Sequence, residues 1–345
     1  MLEEKETRTE LESVGEFKLI DELTGHLKLE NKSSEYGVGD DCAVLSYANK
    51  KILVSTDLLV EGVHFDMMYT PLKHLGYKAA TVNFSDIYAM YGKPKQITVG
   101  IAASNRFSVE AIKELYSGIE HACKNYHVDL IGGDTTTSKS GLFISITVLG
   151  EADENIVYRK GAQTNDLVCV SGNLGAAYMG LMILEREKAT WQANPDMQPE
   201  LSGNEYVLQR FLMPEARFDI IQILKAKNII PTSMIDISDG LASELHHICK
   251  QSKKGCSIYE DKIPIDPATA LVADEFNINP VTAAFNGGED YELLFTINQK
   301  DYEAIKSIPQ ISVIGHITDE GSGASLITHD NQVIELKAQG WDSFK

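Results

Sequence analysis

Two adjacent carboxylates, Asp40 and Asp41, follow a segment that contains Gly37 and Gly39. Carboxylates this close repel each other: at about 4 Å and an effective dielectric near 20, two unit charges cost roughly 4 kcal/mol. Protons or cations must neutralise them. Mg²⁺ fits best, because it takes hard oxygen ligands and completes its shell with water and substrate phosphates. The alternative is a Gly-Asp turn that only links two strands, since both are ordinary turn residues.

The same combination of glycine and acid recurs three more times, in Gly132-Gly133-Asp134, Asp236-Ile237-Ser238-Asp239-Gly240 and Gly287-Gly288-Glu289. Asp57 and Asp86 add acids outside these stretches. Unrelated turns explain this recurrence poorly, so the sequence favours one shared metal site. We expect more than one Mg²⁺, because one octahedral ion cannot use so many carboxylates and also contact phosphate.

Familiar phosphate-binding motifs are missing from the sequence. It contains neither G-x-x-x-x-G-K-[ST] nor a G-x-G-x-x-G after a strand, and the kinase pattern H-R-D is absent. Any phosphate group would therefore be bound through acidic side chains and metal ions. Arg159 is a candidate phosphate clamp, although most arginines simply lie on the surface.

Short apolar runs predict the elements that hold the first acids. Runs at 42–45 and 52–54 predict two strands joined by a turn, with residues 55–65 following as an active-site loop. Residues 72–91 predict a long helix, on which the apolar neighbours of Asp86 favour burial beside a site. Apolar residues at helical spacing also predict an amphipathic helix within residues 17–27.

The later acids are expected where strands end. Residues 128–131 predict a short strand that leads into Asp134, and residues 234–237 predict another that ends among acids. Glu289 stands just before a predicted strand at 291–297. Strands alternate with helices throughout the second half, which predicts an α/β layer there.

Length and composition limit the architecture and the partners. With 345 residues, 43% of them hydrophobic, the chain can form two cores. A polar stretch at 151–164 predicts domains at residues 1–153 and 154–345. The net charge of -19 argues against binding nucleic acid or anionic lipid through a basic face. Five cysteines without a C-x-x-C pair, a charged N-terminus and no membrane-length apolar run predict a cytoplasmic protein.

Six stretches resemble, in order, the signatures of the thiamine-monophosphate kinase family. They are GVGDDCAVL, STDLLVEGVHF, GYKAATVNFSDIYAM, LIGGDTT, DISDGL and GGEDYELLF. The family belongs to a superfamily with aminoimidazole ribonucleotide synthetase and selenophosphate synthetase, and the resemblance covers nearly the whole chain. It implies a two-domain α/β (α+β) fold of the aminoimidazole ribonucleotide synthetase-like type. The N-terminal α/β domain would dimerise through its sheet, with a C-terminal α/β domain beside it and ATP between them on several magnesium ions.

The resemblance also implies roles for individual residues. The metal ligands would be Asp41, Ser55, Thr56, Asp57, Asp86, Asp134, Asp236 and Asp239. ATP would contact Tyr116, Gly133, Asp134, Arg159 and Ser238. Thiamine monophosphate would contact His64, Glu289 and Trp341. Two of the residues named for the ligands, Tyr116 and Trp341, lie outside the strong motifs. Catalysis would depend most on Asp57, Asp134 and Arg159.

The activity implied by the resemblance is ATP-dependent phosphorylation of thiamine monophosphate to the diphosphate, by direct in-line transfer on several magnesium ions. The partners would be ATP, thiamine monophosphate and a second copy of the chain, with no nucleic acid or membrane. Two alternatives stay open. One is another ATP-dependent synthetase of the same superfamily, and the other is a non-catalytic sensor of magnesium and nucleotide, which would bind ATP without turnover.

Overall fold

The structure, a computed structural model, describes residues 33–37, 39–47 and 50–337. The amphipathic helix expected within residues 17–27 and the substrate contact expected of Trp341 both lie outside the described residues. Within the described part of the chain, no helix has both the length and the apolar character needed to cross a membrane.

The first half forms a six-stranded mixed sheet with two long helices. The strands are β1 (Ser34–Tyr36), β2 (Ala43–Tyr47), β3 (Lys50–Val60), β4 (Lys93–Ala103), β5 (Asp129–Thr137) and β6 (Leu142–Ala152). Their order across the sheet is β1-β2-β3-β6-β4-β5, and only the β4–β5 pair in this sheet is parallel. The helices are α1 (Leu72–Ala89) and α2 (Val109–Tyr126). The strand β5 therefore lies at one edge of the sheet.

Local sequence explains why α2 begins and packs as it does. The Ser108 side chain accepts a hydrogen bond from the Ala111 amide at 3.2 Å, which satisfies one of the free N–H groups at the helix start. Leu115, Ile119 and Ala122 follow at helical spacing and are fully buried. The cap accounts for the start of the helix, and the apolar stripe accounts for its buried face.

Two glycines let α1 and α2 pack backbone against backbone. A Cβ at Gly76 would lie 1.9 Å from the Leu115 carbonyl oxygen, and one at Gly118 would lie 1.9 Å from the Lys73 carbonyl oxygen. Any larger residue at either position would separate the helices. Because α1 carries Asp86, this close packing also fixes the height of that carboxylate above the sheet.

Alternate residues of β3 point to opposite faces of the sheet. Leu53 and Leu59 are buried under the helices, whereas Leu58 is 55% exposed on the open face. By this alternation, Asp57 shares the helix-covered face with Leu59, and Thr56 shares the open face with Leu58. The sheet thus separates two neighbouring predicted metal ligands.

Two acids expected outside or at the end of strands instead lie inside them. The strand β3 continues through Asp57, because its ladder with β6 extends as far as Val60, so the first part of the predicted loop is wrong. The strand β5 likewise runs on through Asp134 to Thr137. A Cβ at Gly133 would lie 1.9 Å from the Val99 carbonyl oxygen of β4, so this glycine permits close strand contact rather than a turn.

The second half forms a seven-stranded sheet with helices. The strands are β7 (Leu167–Ser171), β8 (Ser233–Asp236), β9 (Lys254–Tyr259), β10 (Leu293–Ile297), β11 (Ile311–Asp319), β12 (Ala324–Ile327) and β13 (Val333–Glu335). Their order is β13-β12-β9-β11-β7-β10-β8. The α-helices are α3 (Ala176–Ala193), α4 (Glu205–Leu212), α5 (Phe218–Ala226), α6 (Leu241–Ser252), α7 (Pro267–Glu275), α8 (Pro280–Asn286) and α9 (Tyr302–Ile305), and short 3-10 helices occupy Glu260–Lys262, Gln299–Asp301 and Glu320–Ser322. The expected alternation of strand and helix is confirmed.

One buried hydrophobic cluster joins the two halves. It contains Phe84 and Ile87 of α1 together with Met234 of β8 and Phe295 of β10. The helix α1 also contacts β8 directly. Burial of apolar surface stabilises this contact by roughly 25 cal/mol per Å². The two sheets are therefore held in a fixed position relative to each other. Acids carried by α1 and by β8 are thereby brought together.

Candidate active site

A cavity of about 1020 Å³ lies between the two halves. Ten of the residues singled out in the sequence line it: Asp41, Ser55, Asp57, His64, Asp86, Arg159, Asp236, Ser238, Asp239 and Glu289. These residues come from six separate stretches of the chain, so only the fold brings them together. A volume of this size accommodates a nucleotide and a second small molecule.

Three carboxylates, of which Asp41 and Asp236 are buried and Asp86 is half-buried, form the centre of one side of the cavity. Oxygen atoms of Asp41, Asp86 and Asp236 all lie within 4.8 Å of one another. Asp41 comes from the turn before β2, Asp86 from α1, and Asp236 is the last residue of β8. The Ser55 hydroxyl donates to Asp86 Oδ2 at 2.5 Å. The strand predicted at residues 234–237 is confirmed as Ser233–Asp236, and both halves of the chain contribute to the cluster.

Burial and mutual repulsion raise the pKa values of the carboxyls around this cluster. Burial is the larger cause at Asp86 and Asp236, whose pKa values lie well above their usual range, and neighbouring carboxylates add to it. Burial, and then the charge of Asp41, raise the pKa of Asp57 to about 6 and that of Asp40 to about 7. Near neutral pH the site therefore favours binding of either protons or cations.

Arg159 binds the two adjacent carboxylates Asp40 and Asp41. Its Nε lies 3.1 Å from Asp41 Oδ2 and its Nη2 lies 2.8 Å from Asp41 Oδ1, while its backbone amide donates to Asp40 at 3.1 Å. A bidentate pair of this kind is among the stronger ion pairs in proteins. The predicted phosphate clamp is thus in the cavity, and a carboxylate engages two of its donors.

The loop around Ser238 lies at the start of α6. Ser238 and Asp239 come just before this helix, whose first N–H groups and dipole favour anions. The Glu244 side chain accepts from the Asp239 amide at 3.1 Å through Oε1, and this bond fixes the loop. The arrangement suits a phosphate group at Ser238 with a cation near Asp239.

His64 is oriented by the backbone of its own loop. Its Nδ1 accepts a hydrogen bond from the Val60 amide at 3.0 Å, so the neutral ring carries its proton on Nε2. The ring lines the cavity on the same side as Phe65 and Asp66. From this position a histidine can donate a hydrogen bond to a ligand.

The acids of the GGEDYEL stretch have separate tasks. Glu289 lines the cavity and its Oε2 lies 2.5 Å from the Lys78 ammonium. Asp290 accepts from the Gly175 amide at 2.7 Å at the start of α3, and Glu292 is buried between Arg210 and Arg217. Two of the three acids therefore hold the fold, and Glu289 faces the ligand space.

Sequence reasoning missed several residues of the cavity. At its rim Tyr69 donates to Glu185 at 2.7 Å, and the Lys188 ammonium lies 2.8 Å from Asp66. Lys78, which lies behind the cavity wall, was also missed, although a lysine eight residues before Asp86 on a predicted buried helix was a signal that could have drawn attention to it. The rim residues had no such signal, because α3 and the loop before α1 meet only in the folded chain.

Four predicted residues, Thr56, Tyr116, Gly133 and Asp134, do not line the cavity of this chain. Asp57, Ile146, Val99 and Gly133 are successive partners across β3, β6, β4 and β5. Gly133 is thus three strand spacings, roughly 14 Å, from Asp57. The Thr56 hydroxyl lies 3.0 Å from the Ile146 carbonyl oxygen on the open face. A single chain does not bring these four residues to the carboxylate cluster, and their roles stay predictions.

Comparison with known proteins defines the class. The family described as AIR synthase related protein matches the chain twice, its N-terminal domain at residues 39–152 and its C-terminal domain at residues 163–327. The two mixed sheets and the acid-lined cavity between them thus characterise a protein of the AIR synthase related class. The α/β fold predicted from the sequence is confirmed.

Individual relatives narrow the class further. The thiamine-monophosphate kinase of Aquifex aeolicus is 34% identical over 97% of this chain and 99% of that protein, and that of Bacillus subtilis is 32% identical over 96% and 99%. The solved structure of AaThiL complexed with AMPPCP and TMP has a TM-score of 0.83 at 31% identity, covering 98% of this chain and 99% of that one. The chain belongs to the thiamine-monophosphate kinase family, and is therefore an enzyme of the kinase class.

Proposed function

We propose that this enzyme transfers the γ-phosphoryl group of ATP to the phosphate of thiamine monophosphate, giving thiamine diphosphate. The observation that carries the proposal is the carboxylate cluster of Asp41, Asp86 and Asp236, built from both halves at one side of a cavity large enough for two ligands. The family of the chain supports it, as does the relative solved with AMPPCP and TMP.

Magnesium ions fit the chemistry of the residues in the cluster. Asp41, Asp57, Asp86, Asp236 and Asp239 offer hard oxygen atoms, as does the Ser55 hydroxyl. Burial, and then neighbouring carboxylates, raise the pKa values of Asp86 and Asp236, and bound cations would stabilise the charged forms of both groups. More than one ion is expected, because one octahedral ion uses only one or two carboxylates beside phosphate. Bound magnesium would neutralise phosphate oxygens and the charge of the transferred group.

The other residues would position the two substrates. Arg159 would assist with phosphate charge from its place beside Asp41, and Ser238 would contact ATP at the start of α6. His64 and Glu289 would contact thiamine monophosphate. None of these contacts requires a proton to leave the protein, so the protein acts by positioning and by charge.

The acceptor needs no general base. A phosphate monoester has a second pKa of about 6, so its oxygen atoms are largely deprotonated at neutral pH. Such an oxygen can attack the γ-phosphorus directly, with the leaving ADP in line. Transfer without a phosphorylated enzyme follows, and free thiamine, whose alcohol keeps its proton, should be a poor acceptor.

We also propose a cytoplasmic homodimer that forms through the first sheet. The strand β5 supports this, because it is a long edge strand with an exposed surface that includes Ile131, 59% exposed. Native proteins rarely leave such an edge without a partner. The predicted roles of Tyr116, Gly133 and Asp134 depend on this dimer, since the second copy would have to bring them to a cavity.

A time course followed by phosphorus NMR tests the activity. The protein with ATP, magnesium and thiamine monophosphate should form ADP and thiamine diphosphate in equal amounts, and a parallel reaction with thiamine should form neither product at a comparable rate. Binding of ATP without turnover would favour the sensor, and product from thiamine would contradict the acceptor chemistry.

A further inference from the structure

A buried lysine of the first half holds the cavity-facing acid of the second half. The Lys78 side chain is 3% exposed, and its ammonium lies 2.5 Å from Glu289 Oε2. The same ammonium stands 4.1 Å from the centre of the Phe211 ring. Glu289 and Phe211 both line the cavity, so the charge of Lys78 lies just behind its wall. A buried lysine without such partners would be costly.

The backbone of Glu289 is fixed from the other side. Its amide donates to the Ser238 carbonyl oxygen at 2.6 Å, and a Cβ at Gly288 would lie 2.2 Å from that same oxygen. Glu289 itself has a φ of +66°, a left-handed conformation that is unfavourable for a non-glycine residue. The fold therefore keeps this residue in an unfavourable conformation, with its carboxylate at the cavity wall.

The lysine also links this acid to the carboxylate cluster. Lys78 and Asp86 lie on the same helix, eight residues apart, which corresponds to a rise of about 12 Å along its axis. Because α1 is rigid and buried, it sets the distance between the cluster and Glu289. A ligand that spans the cavity from the cluster to Glu289 thus meets two acids at a fixed separation.

We infer that Lys78 is a positioning residue for the phosphate acceptor: it orients the Glu289 carboxylate so that this group can receive a cationic or hydrogen-bond-donating ring of the acceptor. The inference rests on the proposed function, because it takes the acceptor to reach from the cluster to Glu289. Lys78 does not touch the acceptor and acts through Glu289. A merely structural ion pair would stabilise the protein without affecting one substrate more than the other.

A double-mutant cycle of Lys78→Met and Glu289→Gln tests the inference. Lys78→Met keeps an unbranched apolar side chain and removes the ammonium that contacts both Glu289 and the Phe211 ring. It should raise KM for thiamine monophosphate about 10-fold or more, the size of one charged hydrogen bond, with kcat and KM for ATP changed less than about threefold. Glu289→Gln should act similarly. The double variant should be no worse than the poorer single variant, because both changes remove the same interaction.

Controls separate this inference from the proposed function. Lys73→Met makes the same substitution at an exposed position of α1 and should leave both KM values unchanged. Lys78→Gln, which can still donate a hydrogen bond to Glu289, is the second variant if Lys78→Met does not fold. Its KM for thiamine monophosphate should lie between the wild-type value and the value expected for Lys78→Met. A wild-type KM for thiamine monophosphate in the Lys78 variants, or effects that multiply in the double variant, would overturn the inference. Failure of the wild-type protein to phosphorylate thiamine monophosphate would instead overturn the proposed function.

Discussion

Arg159 and Asp41 form a bidentate ion pair at the entrance to the carboxylate cluster, with nitrogen–oxygen distances of 2.8 and 3.1 Å. Asp41 is also one of the three acids whose oxygen atoms lie within 4.8 Å of one another. A cation that binds Asp41 must therefore share this carboxylate with Arg159 or displace it. Displacement would release guanidinium donors towards a phosphate, so metal binding and phosphate binding should favour each other.

The stabilisation by magnesium should grow with pH. Burial raises the pKa of Asp57 to about 6 and of Asp40 to about 7, so the folded state binds more protons than the unfolded state from about pH 4 to pH 7. The free energy of unfolding of the metal-free protein therefore falls as pH rises through this window. Magnesium should raise Tm more at pH 8 than at pH 5.5.

Thermal melts with EDTA and with magnesium at both pH values measure this difference. Burial lowers the pKa of His247 to about 4. Below the usual histidine pKa this group makes the free energy of unfolding rise with pH, which is the opposite of the effect of Asp57 and Asp40. The change in Tm caused by magnesium, rather than Tm itself, is thus the quantity to compare. An equal or larger shift at pH 5.5 would contradict the metal site.

Asp57→Asn should lower kcat at least about 100-fold while the protein stays folded, because the carboxylate holds cations against phosphate. Removal of a repelling charge should leave Tm unchanged or slightly higher. Steady-state kinetics against magnesium concentration measure the effect. Asp274→Asn, at an exposed position of α7 away from the cavity and from β5, is the matched control and should behave as wild type. Near-normal turnover of Asp57→Asn with an unchanged magnesium requirement would show that Asp57 is not a metal ligand.

The sequence predicted the acids of the site better than the elements that carry them. Asp41, Asp86 and Asp236 were identified from residue type and neighbours, and they do converge. The glycines before Asp134 predict the end of a strand, yet they lie inside β5 and allow it to lie close against β4. Local patterns cannot distinguish these cases, because a glycine that permits a turn also permits close contact. Pairings between distant segments, such as Lys78 with Glu289, depend on the packing of the two halves.

Dimerisation can be tested at the edge strand. Ile131→Lys places a charge on the exposed surface of β5 and should convert a dimer into a folded monomer of much lower activity. Val333→Lys, at a 72% exposed apolar position on β13, an edge strand of the second sheet, is the matched control and should stay dimeric and active. Light scattering at micromolar concentration together with the kinase assay decides the question. A wild-type monomer with full activity would count against the proposed dimer and the role of Asp134.

His64→Ala should weaken binding of thiamine monophosphate more than it lowers the maximal rate. The ring is oriented by the Val60 amide and lines the cavity, so it can contact the acceptor, but the acceptor oxygen needs no base. KM for thiamine monophosphate should rise about 10-fold and kcat should change only a few-fold. The dependence of kcat on pH should keep its shape. A large loss of kcat with an unchanged KM would instead assign proton transfer to His64.

Rapid-quench single turnover with ATP labelled in its γ-phosphate tests the central claim most directly. With enzyme in excess over ATP, and with magnesium and thiamine monophosphate present, label should appear in thiamine diphosphate at the same rate as ADP forms. The protein itself should carry no label at any time, because transfer is direct. Label on the protein before it reaches the product, or release of ADP without labelled thiamine diphosphate, would contradict the account.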